Sequence, residues 1–333
     1  MENKKLIITG GDSQTATEYM MSDLLDWECV FLSRSELDIT NINRVRKQLK
    51  DANCVLNLAA YTNVEGAEDD EDSAYAINSI GPKNLAIVCH ELNIPLIHIS
   101  TDYVFDGKKE TSYLTDDETL PLNIYGKSKL LGETLIAENH DWYYIIRTSW
   151  IYRNGSKNFY TTMLKLAQER SEVSVVSDQT GSPTSIKELC RAIDSVIKDL
   201  DKEKSGVYHF TGLGKTTWKD FAEEIFYQCR ISIIVNGITT DAWKSKLVRP
   251  KNSYLDSSKF IETFNYIPAH WKNALREVIG EIKMLPIKVG DIVIVNDIES
   301  LVVETDYSQR IAKISPNGDL SKTLEISFDL LFL

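Results

Sequence analysis

The chain has 333 residues, 43% of them hydrophobic, enough to bury a large core spread over one large or two to three modest domains. Its 37 basic against 49 acidic side chains leave a net charge of −12, which disfavours nucleic acid or an anionic membrane as a general partner because a polyanion repels an acidic surface. The opening stretch MENKKLIITGGDS holds too short an apolar run for a signal peptide, and nowhere do 18 apolar residues run together, so the expectation is a soluble cytoplasmic protein.

In chain order, the first apolar run, KLIITG at 5–10, leads into GGDSQTA at 10–16. At a first strand-to-helix turn the spaced pattern G-x-x-G-x-x-G lets the backbone approach a pyrophosphate, and here Gly10 takes the first place, Ser13 the second and Ala16 the third. A Cβ at Ser13 limits that approach and disfavours positive φ, while its hydroxyl offers a hydrogen bond to a phosphate oxygen. A helix is expected over 14–25, then ECVFLS at 28–33, a helix over 41–50, NCVLNLAA at 53–60, a helix over 72–92, PLIHIS at 95–100, a helix over 124–138 entered through Pro121 and Asn123, and YYIIRTS at 143–149. Unbroken apolar runs suit strands covered on both faces, and their alternation with helices predicts a doubly wound parallel sheet. Ligands in that layout sit at the carboxyl ends of strands, where SRSELDIT, AAYTNVE, STDYVFDG and RTSWIY fall.

From about residue 158 the pattern loosens into helices, short strands and turns, which reads as a smaller second lobe. Residues 286–333 change again: PIKVGDIVIV, SLVVET, RIAKIS and TLEISF alternate like half-buried strands, predicting a small β-barrel or sandwich. With four basic and eight acidic residues that module is a poor nucleic-acid binder. The expected division is therefore 1–157, 158–285 and 286–333. Cys29, Cys54, Cys89, Cys190 and Cys229 are scattered singly, without a C-x-x-C pair, and read as reduced buried thiols.

Tyr125 and Lys129 in YGKSK share a helical face at i, i+4. A phenol is a poor acid at neutral pH unless its phenolate is stabilised, and an ammonium one turn away does that. Twenty-four residues earlier, Thr101 ends PLIHIS and can hydrogen-bond the same carbonyl oxygen. The pair thus suits proton donation to a ketone.

The set Thr101, Tyr125 and Lys129, framed by STDYVFDG and PLNIYGKSKLLGE, resembles the dTDP-4-dehydrorhamnose reductases of the extended short-chain dehydrogenase/reductase superfamily. AAYTNVEGAE, INSIGPKNLA, RTSWIY, DQTGSPT, GVYHFTG, TTWKDFA and RPKNSYLD follow in that family's order, over roughly residues 4–280. The resemblance implies a Rossmann-like dinucleotide-binding domain with a substrate lobe, and reduction of a nucleotide-linked 4-keto-6-deoxy sugar by a nicotinamide cofactor. It makes Tyr125 the general acid, has Lys129 tune it and hold the nicotinamide ribose, and has Thr101 orient the carbonyl. Gly10, Ser13, Gln14, Thr15, Arg34, Asp38, Ile39, Ala59, Ala60, Tyr61 and Asn78 join Tyr125 and Lys129 in the implied cofactor site; Asp102, Tyr103 and Trp150 line the sugar pocket, and Arg249 meets the diphosphate. Arg34, with no acidic residue beside it, suits the 2′-phosphate of NADP, NAD remaining the alternative. A non-catalytic nucleotide-binding subunit, as the regulatory subunit of methionine adenosyltransferase is, and a reductase of another nucleotide sugar are the rival readings. No metal-ligand spacing stands out, and the residues leave magnesium and a homodimer open.

Overall fold

The computed structural model describes residues 4–22, 27–243, 247–280, 292–295, 298–306, 311–316 and 323–327. β1 (Lys5–Thr9), α1 (Gln14–Met20), β2 (Glu28–Leu32), α2 (Ile42–Gln48) and β3 (Cys54–Asn57) alternate. Next come α3 (Gly66–Asp69), α4 (Glu71–Tyr75), a π-helical turn (Ala76–Ile80), α5 (Gly81–Leu92), β4 (Leu96–Thr101), a 3₁₀ turn (Asp102–Val104), α6 (Ile124–Asn139) and β5 (Tyr143–Thr148). Beyond these lie β6 (Ile151–Tyr152), α7 (Phe159–Glu169), β7 (Glu172–Val176), β8 (Thr180–Gly181), β9 (Thr184–Ser185), α8 (Ile186–Lys198), β10 (Gly206–His209), β11 (Thr216–Thr217), α9 (Trp218–Gln228), β12 (Ile234–Ile238) and α10 (Ser258–Phe264). Among the described residues no helix is long and apolar enough to cross a membrane.

The central sheet is parallel, in the order β10-β5-β4-β3-β1-β2. Alternate residues of its apolar runs serve opposite layers. Leu6, Ile8, Leu56, Ile97 and Ile146 pack with Ile186, Leu189, Ile193 and Phe260, whereas Ile7, Val55, Leu96 and Ile145 pack with Val45, Leu85, Val88 and Ile136. That is why the runs lack polar alternation: both faces are covered. One of those layers is built from α8 and α10, and the sixth strand, β10, pairs with β5 through Gly206↔Tyr144 to His209↔Arg147. The region after residue 158 thus completes the sheet.

Helix entries follow from side-chain caps. Asn123 Oδ1 accepts from Gly126 N at 2.9 Å to start α6, and Asn41 caps α2 by accepting from the Asn43 and Arg44 amides. At the other end, α5 stops on Asn93 in the left-handed region, φ 51.

The chain divides into two compact units, Met1–Pro268 and Ala269–Leu333. The second contains α11 (Trp271–Ile279), ended by Gly280 at φ 78, and the strands β13 (Ile292–Val295), β14 (Ile298–Asp306), β15 (Ile311–Pro316) and β16 (Leu324–Ser327). These form an antiparallel meander in sequence order, with a bulge between Val302 and Glu304. The described strands pair in one four-stranded sheet. PIKVG at 286–290 and the turn residues Asn296, Asp297, Asn317 and Gly318 lie outside the described residues.

Candidate functional site

The chain leaves β1 toward β2 on one side and returns as β3 on the other, so strand order reverses between β1 and β3. A crevice opens there at the carboxyl ends. Gly10 turns into it with φ +65, and a Cβ on it would stand 2.7 Å from Ala59 N, so the β3 loop carrying Ala59 and Ala60 can close on the turn only over glycine. Gly11 plays the same part toward β2, where a Cβ would meet the Leu32 backbone at 3.0 Å. Ser13 corrects an expectation. Its φ is −71, and its hydroxyl accepts from Ala16 N at 3.2 Å as the N-cap of α1, so this loop never asks its second position for positive φ. Beside it, Thr15 is buried, and Gln14 Oε1 is buried without a hydrogen-bond partner.

Past β2, Arg34 is exposed, and Glu36 stands in the same turn, its carboxylate accepting from Ser33 N at 2.8 Å and Ser33 Oγ at 2.6 Å. The acidic residue near Arg34 is therefore engaged by the loop itself. Asp38 accepts from the Thr40 hydroxyl and amide, which holds its carboxyl below the usual range. Ile39 is a core residue, with its side chain against Gly81 and its carbonyl accepting from Asn84.

Asn78 is fully buried in the π-helical turn: its Oδ1 accepts from Tyr61 N at 2.8 Å, while Nδ2 donates to Tyr61 O at 3.1 Å and Ser128 Oγ at 3.0 Å. It pins the β3 loop to α6, and the extra residue of the π-turn carries it there. The contact is close: a Cβ on Gly132 would stand 2.1 Å from Asn78 O, and one on Gly126 2.2 Å from Tyr103 O.

Thr101 and Tyr125 meet at the end of β4. Burial is the largest influence on the Tyr125 phenol and pushes it up, a hydrogen bond with Thr101 works the other way, and Asp102 and Tyr103 add to the rise. The Lys129 amine is directed at β4, donating to Ile99 O at 2.7 Å and meeting His98 Nε2 at 3.1 Å. Burial pulls Lys129 down to about 8 and holds His98 well below the usual imidazole range.

His98 belongs to a buried chain that pattern reasoning missed. Asn57 Oδ1 accepts from the Thr9 hydroxyl at 2.6 Å and from Ala59 N at 3.2 Å, which leaves Asn57 Nδ2 to donate to His98 Nδ1 at 2.8 Å. A signal existed: Asn57 and His98 are polar interruptions in runs otherwise apolar on both faces, and the two pair across β3 and β4.

Around the Tyr125 hydroxyl, Tyr103 packs edge-on at 5.6 Å and its hydroxyl accepts from Arg249 Nη1 at 3.1 Å. Asp102 is 3% exposed, and burial pushes its carboxyl up to about 6. Asn123 ties the Arg249 segment in by donating to Val248 O at 3.1 Å. Trp150 follows β5 in a left-handed conformation, φ 48, stacked on Trp218 at 3.5 Å. Such strain costs an aromatic residue on the order of 1–3 kcal/mol and clusters at functional sites. Gly181 was missed too: a Cβ there would stand 2.7 Å from the Trp150 ring.

A parallel sheet whose crevice opens over a glycine turn at the strand-order reversal makes this a nucleotide-binding protein of the Rossmann-like class. More narrowly, the chain belongs to the RmlD substrate binding domain family, which matches residues 4–284. It is 39% identical over 280 residues to the spore coat polysaccharide biosynthesis protein SpsK of Bacillus subtilis (strain 168), covering 83% of this chain and 97% of that one. It is 37% identical over 287 residues to the dTDP-4-dehydrorhamnose reductase of Aggregatibacter actinomycetemcomitans, covering 82% and 98%. The crystal structure of dTDP-4-dehydrorhamnose reductase (rfbD) from Bacillus anthracis str. Ames in complex with NADP superposes with a TM-score of 0.80 at 33% identity, over 84% of this chain and 99% of that one.

Proposed function

We propose that the protein is an NADP-dependent reductase of the 4-keto group of a nucleotide-linked 4-keto-6-deoxy sugar, converting dTDP-4-dehydrorhamnose to dTDP-rhamnose. The observation that carries this is the Tyr125 hydroxyl beside Thr101 at the carboxyl end of β4, in a chain matched over 98% of a reductase so named.

The residues present fit the cofactor. Gly10 gives a close backbone turn at the crevice, Gln14 Oε1 is a buried acceptor without a donor, and Arg34 is exposed past β2, where a guanidinium fork suits a 2′-phosphate. When bound, NADPH supplies a hydride. Negative charge then gathers on the ketone oxygen, and a donor at that oxygen stabilises the transition state more than the ground state. Tyr125 is that donor: burial keeps the phenol protonated at neutral pH, and its proton passes to the oxygen while the Thr101 hydroxyl holds the oxygen in place. The Lys129 amine, titrating at about 8 behind the phenol, holds the ribose and connects to His98. Asp102, Tyr103 and Trp150 take the sugar, and Arg249 the diphosphate.

Two features favour the regulatory-subunit alternative, the altered glycine loop and the added β module. Ser13 as an ordinary N-cap removes the first of these. In this reading residues 1–157 are the dinucleotide-binding part, 158–285 the substrate lobe and 286–333 an appendage of a cytoplasmic enzyme; a chain ending at 285 is expected to stay folded and to bind NADPH. The test is the decay of NADPH absorbance with the dTDP-linked 4-keto-6-deoxy sugar against other nucleotide sugars. A protein that binds NADPH and reduces none of them is a regulatory subunit instead.

A further inference from the structure

We propose that His90, His140 and Asp141 form a binding site for a divalent transition metal of the zinc class, at the amino end of the sheet and remote from the Tyr125 site. His90 lies in the last turn of α5, His140 is the C-cap of α6, and Asp141 precedes β5. Fifty residues separate the first two, so no sequence motif announces the cluster.

The decisive side chain is His140. It is 3% exposed, and its Nε2 lies 3.0 Å from Ile94 O. A carbonyl only accepts, so the ring proton sits on Nε2 and Nδ1 is left with a free lone pair. That Nδ1 is buried and has no hydrogen-bond partner. A backbone carbonyl that fixes one imidazole nitrogen while the lone pair of the other is met by no hydrogen-bond donor is how metal-binding histidines are oriented.

The remaining donors converge on that atom. Asp141 Oδ1 stands 3.9 Å from His140 Nδ1 and 4.0 Å from His90 Nδ1. These are too long for hydrogen bonds, and all three ligand atoms lie within 4.8 Å of one another. Around a tetrahedral zinc ion with ligands at 2.0–2.2 Å, donors sit roughly 3.3–3.5 Å apart. The set therefore contracts by about half an ångström or more to close on an ion. It can do so, because the His90 and Asp141 side chains are each 62% exposed and movable, while His140 stays fixed. The Lys202 ammonium, 2.8 Å from Asp141 Oδ2, occupies the other carboxylate oxygen and turns Oδ1 toward the rings. Its charge opposes a cation, but the side chain is 46% exposed and can swing into solvent. Two imidazole nitrogens and one carboxylate oxygen favour zinc, cobalt, nickel or copper over magnesium or calcium, and three protein ligands leave a fourth position for water.

The test is titration of the untagged full chain with Zn²⁺ by calorimetry, and with Co²⁺ followed by its visible absorption. One ion per chain is expected, with His90→Ala and Asp141→Asn each weakening binding at least tenfold while NADPH affinity and the circular dichroism spectrum stay as in the parent. A hundredfold excess of Mg²⁺ should leave the ion in place. The proposal is overturned if the parent shows no saturable Zn²⁺ binding, if binding survives either substitution, as it would on the half-buried thiols of Cys29 or Cys229, or if Mg²⁺ displaces it.

Discussion

The loops that follow β1 and β4 open at the same end of the sheet and are built in opposite ways. After β1 the chain works with backbone: Gly10 and Gly11 are there for what they lack, Ser13 caps a helix, and few side chains are committed. After β4 it works with side chains, Thr101 and Asp102 both buried, Tyr103 against Tyr125, and Lys129 drawn down onto Ile99 and His98. A backbone-built loop accepts substitution wherever φ and space permit, whereas a side-chain-built one depends on each functional group. That explains how the middle glycine can be lost after β1 while Thr, Tyr and Lys stand intact in their places.

The largest effect should come from the second loop. Tyr125→Phe removes one donor and little volume, so turnover should fall on the order of 10²- to 10⁴-fold, with the NADPH dissociation constant unchanged in a fluorescence titration. Parent-like turnover would place the acid elsewhere. In the first loop the vulnerable point is Gly10. Gly10→Ala adds a Cβ against Ala59 N in a left-handed backbone and should cost about 2–4 kcal/mol in denaturant unfolding, from strain and overpacking together. A near-neutral result would erase the distinction between the loops.

Asp102 tests the side-chain loop through pH. Its folded carboxyl titrates at about 6 against about 3.9 in an unfolded chain, so between those values the folded state binds more protons. Stability should therefore fall as pH rises from about 4 to about 6, by about 2–3 kcal/mol, and stay level above. Asp102→Asn should flatten that slope. Arg34→Ala should weaken NADPH by about 1.5–3 kcal/mol, the usual worth of a hydrogen bond to a charged group, and spare NADH; equal losses would remove Arg34 from the 2′-phosphate. The smallest effect belongs to Ser13→Gly, a few tenths of a kcal/mol of stability, because glycine is itself a fair N-cap.

Much of this was legible beforehand. The five strands, the helix entered at Asn123 and the order of the loops all followed from apolar runs and caps, which are local. The sixth strand escaped notice because GVYH is too short to show a period. The β module is legible as strands from its alternation, whereas their order as a meander depends on long-range pairing. Asn78 illustrates the limit best. On a helix, a polar residue points to no particular partner, and only the π-turn that carries it between Tyr61 and Ser128 makes it a clamp.

By itself, the sequence determined the alternation of strand and helix, the placing of Tyr125 and Lys129 on one helical face, and a glycine at the turn after β1. Periodicity and backbone preference act over a few residues, so they can be read locally. Only the tertiary structure decided where the Lys129 amine points, that Ser13 needs no positive φ, and that His90, His140 and Asp141 converge. Those depend on which distant elements meet, through β3 and β4 side by side or α5 and α6 ending together, and packing settles that only when the whole sheet is assembled.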